Sequence, residues 1–122
     1  MNILVVENHS DTLRWLTLYL EDEGHTVTGA KTFREGYAKL ASQDYDVLIS
    51  DIGLPDGKGW MLLENSGLKK VPYAIAMSGF GMNADSDRSK AAGFRHHLLK
   101  PFKMDELDRM LANAQQEIQT TS

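Results

Sequence analysis

Five short apolar runs, each followed by a segment of helical spacing or turn chemistry, restrict the fold more than any other feature of this chain. Ile3-Leu4-Val5-Val6 ends in Glu7-Asn8, and Val47-Leu48-Ile49-Ser50 ends in Asp51. Tyr73 to Met77 is entered through Pro72 and ends in Ser78-Gly79, and Phe94 to Leu99 ends in Lys100-Pro101. The first reads as a strand buried on both faces, the second as the clearest buried strand, and the other two as further strands. His25 to Ala30 is the weaker, more polar run, and it reads as a strand near an edge.

Helical signals fill the gaps. Ser10 is the expected N-cap of the first helix, with Asp11 in its first turn, and Leu13, Leu16 and Leu20 recur at helical spacing beside Trp15 and Tyr19. Gly24 is placed to end that helix. Thr32-Phe33-Arg34-Glu35 has the capping-box pattern, and Phe33, Tyr37 and Leu40 form one stripe. Trp60 to Glu64 opens a short helix with Gly67 just beyond, and the polar segment from Asn83 to Ala92 reads as a helix stopped at Gly93. Asp105 to Ile118 is the last amphipathic helix, with Leu107, Met110, Leu111, Ala114 and Ile118 on one side. The expected domain is 1–118, with 119–122 a frayed tail. Strict β-α alternation implies an α/β fold: a parallel sheet covered on both faces by helices joined through right-handed crossovers. For five strands the common solution is the doubly wound, flavodoxin-like order 2-1-3-4-5.

Composition narrows the function classes. The 122 residues make one domain, 42% hydrophobic and 25% charged, as in ordinary soluble proteins. There is no cysteine, which excludes disulfides and thiolate metal sites and fits a reducing compartment. The net charge of -4 leaves no electrostatic footprint for nucleic acid, so no direct nucleic-acid partner is expected. No apolar run is long enough to span a membrane and no signal-peptide pattern opens the chain, so a cytoplasmic protein with no direct membrane partner is expected.

In open parallel sheets, ligands bind beyond the carboxyl ends of the strands at the switch point. There this fold would gather Glu7 and Asn8, Asp51, Ser78 and Lys100. Each taken alone is ordinary cap, turn or loop chemistry. Their meeting at one edge carries the functional reading.

The stretches Ile3 to Asn8, Ser50 to Gly57, Met77 to Gly79 and Leu98-Leu99-Lys100-Pro101-Phe102 resemble the receiver domain of two-component response regulators, the CheY-like fold, over nearly the whole chain. Ser78-Gly79-Phe80-Gly81-Met82, Ala92-Gly93-Phe94 and His97-Leu98-Leu99-Lys100 are most similar to receivers of hybrid sensor histidine kinases. The resemblance implies a phosphoacceptor switch. Asp51 would be the nucleophile that takes a phosphoryl group from the phosphohistidine of a histidine kinase or phosphotransfer domain. Mg²⁺ (or Mn²⁺) would be held by Glu7, Asn8, Asp51 and the backbone carbonyl of Gly53. Lys100 would pair with Asp51, Ser78 would bond a phosphoryl oxygen, and the Lys100–Pro101 bond would be cis. No enzymatic activity beyond self-phosphorylation and autodephosphorylation is implied. Downstream, an unidentified protein partner would read the changed conformation.

Four positions depart from the family pattern or tune it. Asn8 stands where a second carboxylate is usual, which predicts weaker metal binding than in a three-carboxylate site. His97 replaces a Tyr or Phe whose ring reports phosphorylation; it is either a switch residue or a strand-end histidine with no such role. Gly53 and Phe80 would flank the path of the hydrolytic water and so set the lifetime of the adduct. His9, His25 and His96 are expected at the surface, with no metal-binding histidine cluster. The alternatives are a flavodoxin-like nucleotide or FMN binder, disfavoured by the acidic loop after the first strand, and an aspartyl-phosphate hydrolase, disfavoured by Gly53 where a second Asp is usual. A degenerate receiver acting as a phosphorylation-independent docking module is the third.

Overall fold

In a computed structural model the chain forms a five-stranded parallel sheet with helices on both faces; residues 1–64, 67–79 and 85–121 are described. The elements are β1 (Asn2–Val6), α1 (Ser10–Asp22), β2 (Thr26–Ala30), α2 (Phe33–Ser42), β3 (Val47–Asp51), a ribbon of β4 (Gly53–Leu54) and β5 (Gly57–Lys58), α3 (Met61–Glu64), β6 (Tyr73–Ser78), α4 (Asp85–Ala92), β7 (His96–Leu99) and α5 (Met104–Thr121). The order β2-β1-β3-β6-β7 is the expected doubly wound order once the ribbon is set aside. The polar strand β2 lies at the edge, as its composition implied.

Period-two alternation splits the core into two layers. Ile3, Val5, Val47, Ile49, Ile75 and Met77 face Leu16 and Leu20 of α1 and Leu107, Leu111 and Ala114 of α5. Leu4, Val6, Leu48, Ala74 and Ala76 face the other side, with Leu40 and Leu62. Both sets are buried, which is why the central strands read as continuous apolar runs rather than alternating ones.

The local signals hold at most ends. Gly24 and Gly93, with φ of 97° and 114°, follow α1 and α4. Thr32 Oγ1 accepts from the Glu35 amide at 3.1 Å, but the Glu35 carboxylate reaches back to the Lys31 amide at 2.7 Å rather than to Thr32. The Lys100–Pro101 peptide is cis.

Four expectations shift. The N-cap of α1 is His9, in extended conformation with its carbonyl accepting from Leu13 at 2.9 Å, and Ser10 is the first helical residue. Strand β7 begins at His96; Phe94 and Arg95 lead into it, with the Phe94 amide closing on Ser89 of α4 and the Arg95 amide on Ala74. Helix α5 runs to Thr121, three residues past Ile118 and into the segment read as a tail, while Ser122 is outside the described residues. Within the α2 stripe Tyr37 is 39% exposed and stacks on Phe33, and it is Gly36 that faces the core: a Cβ there would lie 2.8 Å from Val6. For the helix expected over 83–92, its first two residues lie outside the described residues.

Candidate functional site

Four parallel strands deliver their carboxyl ends to one edge, and the register of their pairing sets which side chains meet. Val6 aligns with Ser50, Asp51 with Met77, and Ser78 with Leu99. The next residues along, Glu7 after β1 and Lys100 after β7, therefore stand to either side of the end of β3 at one edge of the sheet. Backbone hydrogen bonds fix the outgoing loops: Glu7 N–H to Ala30 at 2.9 Å, Ile52 N–H to Met77 at 2.9 Å, and Lys100 N–H to Ser78 at 2.8 Å.

The side chains converge as expected for three residues. Lys100 Nζ lies 3.2 Å from Asp51 Oδ2 and also donates to Glu7 Oε1, a second partner that strand position alone does not reveal. Glu7 and Ser78 are fully buried and Asp51 is 6% exposed. Burial raises the Asp51 carboxyl to about 6, and the hydrogen bond and charge of Glu7 push the same way against the pull of Lys100. Burial also works against an ionised Glu7, but its hydrogen bonds to Asp51 and Lys100 win and hold it below its usual range. The site is thus a charged Glu7, a reluctant Asp51 and one ammonium between them.

Ser78 has a partner within the protein. Its Oγ lies 2.5 Å from Nε2 of His97, so the hydroxyl and the ring expected to switch with it are joined directly. Asn8 is half-buried beside Glu7, and Gly53 is exposed in the ribbon immediately after Asp51. Phe80 lies outside the described residues.

A tight turn carries the acceptor. The Gly59 amide donates to the Ile52 carbonyl at 2.8 Å, folding the ribbon back over the end of β3. A Cβ on Gly59 would come 2.1 Å from the Asp51 carbonyl oxygen, so only glycine allows this approach. The ribbon also supplies Asp56, whose carboxylate accepts from the amides of Phe33 and Arg34 at 2.7 and 3.0 Å and caps α2 from outside.

The histidine expectations need correction. His25 and His96 are half-buried and bonded, His25 Nδ1 to the terminal amine of Met1 at 3.1 Å and His96 Nε2 to the Tyr73 hydroxyl at 2.6 Å. His9 is exposed, as expected, but it stands at the site: one ligand atom from each of Glu7, His9 and Asp51 lies within 4.8 Å of the others. Its place two residues after Glu7, in the loop at the switch point, was the available signal.

The carboxylates fit a hard dication. Glu7 Oε2 is buried and makes no hydrogen bond among the described residues, and His9 Nδ1 stands 3.8 Å from it. A buried carboxylate oxygen with no donor is costly unless a cation shares its space.

Comparison with known proteins gives this geometry a family. The response regulator receiver domain family matches residues 3–112. The chain is 30% identical over 107 residues to transcriptional regulatory protein HprR of Escherichia coli K12, covering 88% of this chain and 48% of that protein. It is 32% identical over 110 residues to the KDP operon transcriptional regulatory protein KdpE of the same organism, covering 90% of this chain and 49% of that protein. The chain therefore spans about half the length of these curated relatives. A receiver domain protein (CheY-like) from Methanospirillum hungatei JF-1 superposes with a TM-score of 0.88 at 29% identity, covering 98% of this chain and 97% of that one. Among the described residues no helix is long and apolar enough to cross a membrane. With its doubly wound sheet, its buried Glu7 and Asp51 and its strand-end lysine, the chain belongs to the response regulator receiver domain family.

Proposed function

We propose that the chain is a phosphoacceptor switch in which Asp51 takes a phosphoryl group from a phosphohistidine donor, a histidine kinase or a phosphotransfer domain. The observation that carries this reading is the buried Asp51 with Lys100 Nζ 3.2 Å from its Oδ2, at the switch point of the sheet. Asp51 Oδ would attack phosphorus, the P–N bond to the donor imidazole would break, and the imidazole would leave with the bonding pair. Glu7, Asn8, Asp51 and the Gly53 carbonyl would hold Mg²⁺ or Mn²⁺, which supplies charge neutralisation for the phosphoryl oxygens. Lys100 would keep its place beside Asp51 and turn its charge to a phosphoryl oxygen. Ser78 would exchange His97 for another phosphoryl oxygen, and this exchange is the local event that biases the loop after β6. The domain's own chemistry is confined to gaining and losing this group. A cytoplasmic setting fits a phosphohistidine donor and a chain without cysteine.

A hybrid sensor kinase as the parent protein is supported only by the sequence stretches around Ser78 and Ala92-Gly93-Phe94. The two curated relatives named above are transcriptional regulators, which favours a response regulator over a hybrid kinase, whether the chain acts alone or within a longer protein. In either case a partner protein would read the β7, α4 and α5 side.

Incubation with acetyl phosphate and Mg²⁺, followed by intact-mass measurement, tests the reading. The expected result is a gain of one phosphoryl group that is absent in Asp51→Asn. No gain in the wild type would leave the phosphorylation-independent docking module, for which Asn8 is the one favouring residue. Asn8→Asp should add a third carboxylate and tighten Mg²⁺ binding.

A further inference from the structure

The acidic loop after β1 holds an imidazole that the reading above leaves unused. His9 follows Glu7 by two residues, is exposed and caps α1 only through its backbone carbonyl. Its ring is therefore available. Nδ1 stands 3.8 Å from Glu7 Oε2, the buried oxygen that lacks a hydrogen bond among the described residues. A ligand atom each from Glu7, His9 and Asp51 fits within 4.8 Å, the span of one coordination sphere after small side-chain adjustment.

From this juxtaposition we infer that His9 is an additional metal ligand, and that it shifts the preference of the site from Mg²⁺ toward imidazole-binding first-row dications such as Co²⁺ and Zn²⁺. The inference rests on the phosphoacceptor reading for the identity of the metal site, and it assigns that site a different cation.

Ligand chemistry supplies the direction. Mg²⁺ takes hard oxygen ligands and gains most from anionic ones. Asn8 removes one such charge from the acidic pair. An imidazole nitrogen adds little for Mg²⁺ but binds Co²⁺, Ni²⁺ and Zn²⁺ well. Later metals bind most sites more tightly, so the content of the proposal is the part of the difference that depends on His9. The exposed ring can swing in when the cation arrives, whereas Glu7 and Asp51 are already buried in place.

The test is metal binding to the full chain, with Co²⁺ and Mg²⁺ as probes, by calorimetry and by the visible d–d absorption of Co²⁺. His25 Nδ1 beside the terminal amine is a competing chelate, so all proteins should carry His25→Gln. His9→Ala is expected to weaken Co²⁺ by about tenfold or more and to alter its spectrum, with Mg²⁺ affinity changed by less than about twofold. His9→Asp, which restores an oxygen ligand, should tighten Mg²⁺ while losing the nitrogen-bound Co²⁺ spectrum. Asp51→Asn should also weaken Co²⁺, placing the His9-dependent ion at this site.

Equal losses for both metals, or no loss for Co²⁺, in His9→Ala overturn the inference, as does a wild-type protein that binds neither metal. The two readings separate cleanly. Acetyl phosphate labelling of Asp51 with His9-independent Co²⁺ binding keeps the switch and sinks the ligand. His9-dependent Co²⁺ binding without labelling does the reverse.

Discussion

Burial and the Glu7 carboxylate raise Asp51 from its ordinary 3.8 to about 6, so the metal-free fold holds a proton there more tightly than the unfolded chain does. The stabilisation this group gives is full below 3.8 and is lost as pH rises through 6. At pH 7 and above, ionised Asp51 therefore costs the metal-free fold on the order of 1–3 kcal/mol. Asp51→Asn removes that cost. In urea unfolding without metal, the mutant should be more stable than wild type at high pH, the gap should close toward pH about 4, and saturating Mg²⁺ should narrow it. A mutant no more stable than wild type at high pH would refute the account. His97→Phe belongs to the same scale: it takes the hydrogen-bond partner at 2.5 Å from the buried Ser78 hydroxyl and should cost about 1–2 kcal/mol by the same measurement. The convergence of Asp51, Glu7 and Lys100 was legible because their positions at strand ends depend only on the order of strands. The second partner of Lys100, the bond between Ser78 and His97, and the approach of His9 were not, since they depend on rotamers and on how far each loop reaches.

Elements were legible where periodicity is long and closed by a terminator. α1 with Gly24 and the buried strands β1, β3 and β6 follow from pattern alone. The ribbon of β4 and β5 was not visible, because two-residue strands carry no period and Gly53 to Gly57 reads only as turn chemistry. Nor does local sequence show that Asp56, in that ribbon, caps α2 across 22 and 23 residues of chain. Yet the ribbon is what seats the acceptor. Gly59→Ala would drive a methyl group against the Asp51 carbonyl, where neighbouring backbone leaves little room to relax. The expected cost is about 1–3 kcal/mol in urea unfolding, together with slower labelling by acetyl phosphate as the turn moves Asp51. Gly67→Ala is the contrast: its φ of 60° strains the backbone, but nothing lies within 4 Å of the added Cβ, and labelling should be unaffected. Slowed labelling in both, or in neither, would remove the ribbon from the account of the site.

The sheet divides the molecule into unequal halves. On one side α1 and α5, with 13 and 18 residues, bury Leu16, Leu20, Leu107, Leu111 and Ala114. On the other side α2, α3 and α4 are shorter, with 10, 4 and 8 residues. α4 is the extreme case: among its described side chains Ser89 is the buried one, and Ala92 packs only partly against the core. Arg88 tethers it to the preceding elements, bonded to Glu64 at 3.0 Å and lying over the Trp60 ring at 5.6 Å. That tether joins α4 to α3, directly after the ribbon that holds Asp51, so an event at the acceptor and the position of α4 share a short connection. A helix with little apolar burial opens at a small fraction of the global free energy. Hydrogen exchange should therefore find the α4 amides least protected among the helices of eight or more residues, and those of α1 and α5 most protected. Arg88→Ala removes one exposed ion pair and one cation–π contact, worth about 0.5–1 kcal/mol, so α4 exchange should rise roughly two- to fivefold. Protection in α1 should not move. Because phosphorylation is proposed to act through the loop that precedes α4, the same mutation should shrink the difference in α4 exchange between labelled and unlabelled protein. If α4 exchanges as slowly as α1, the fold is one cooperative unit and the readout must lie elsewhere than in α4.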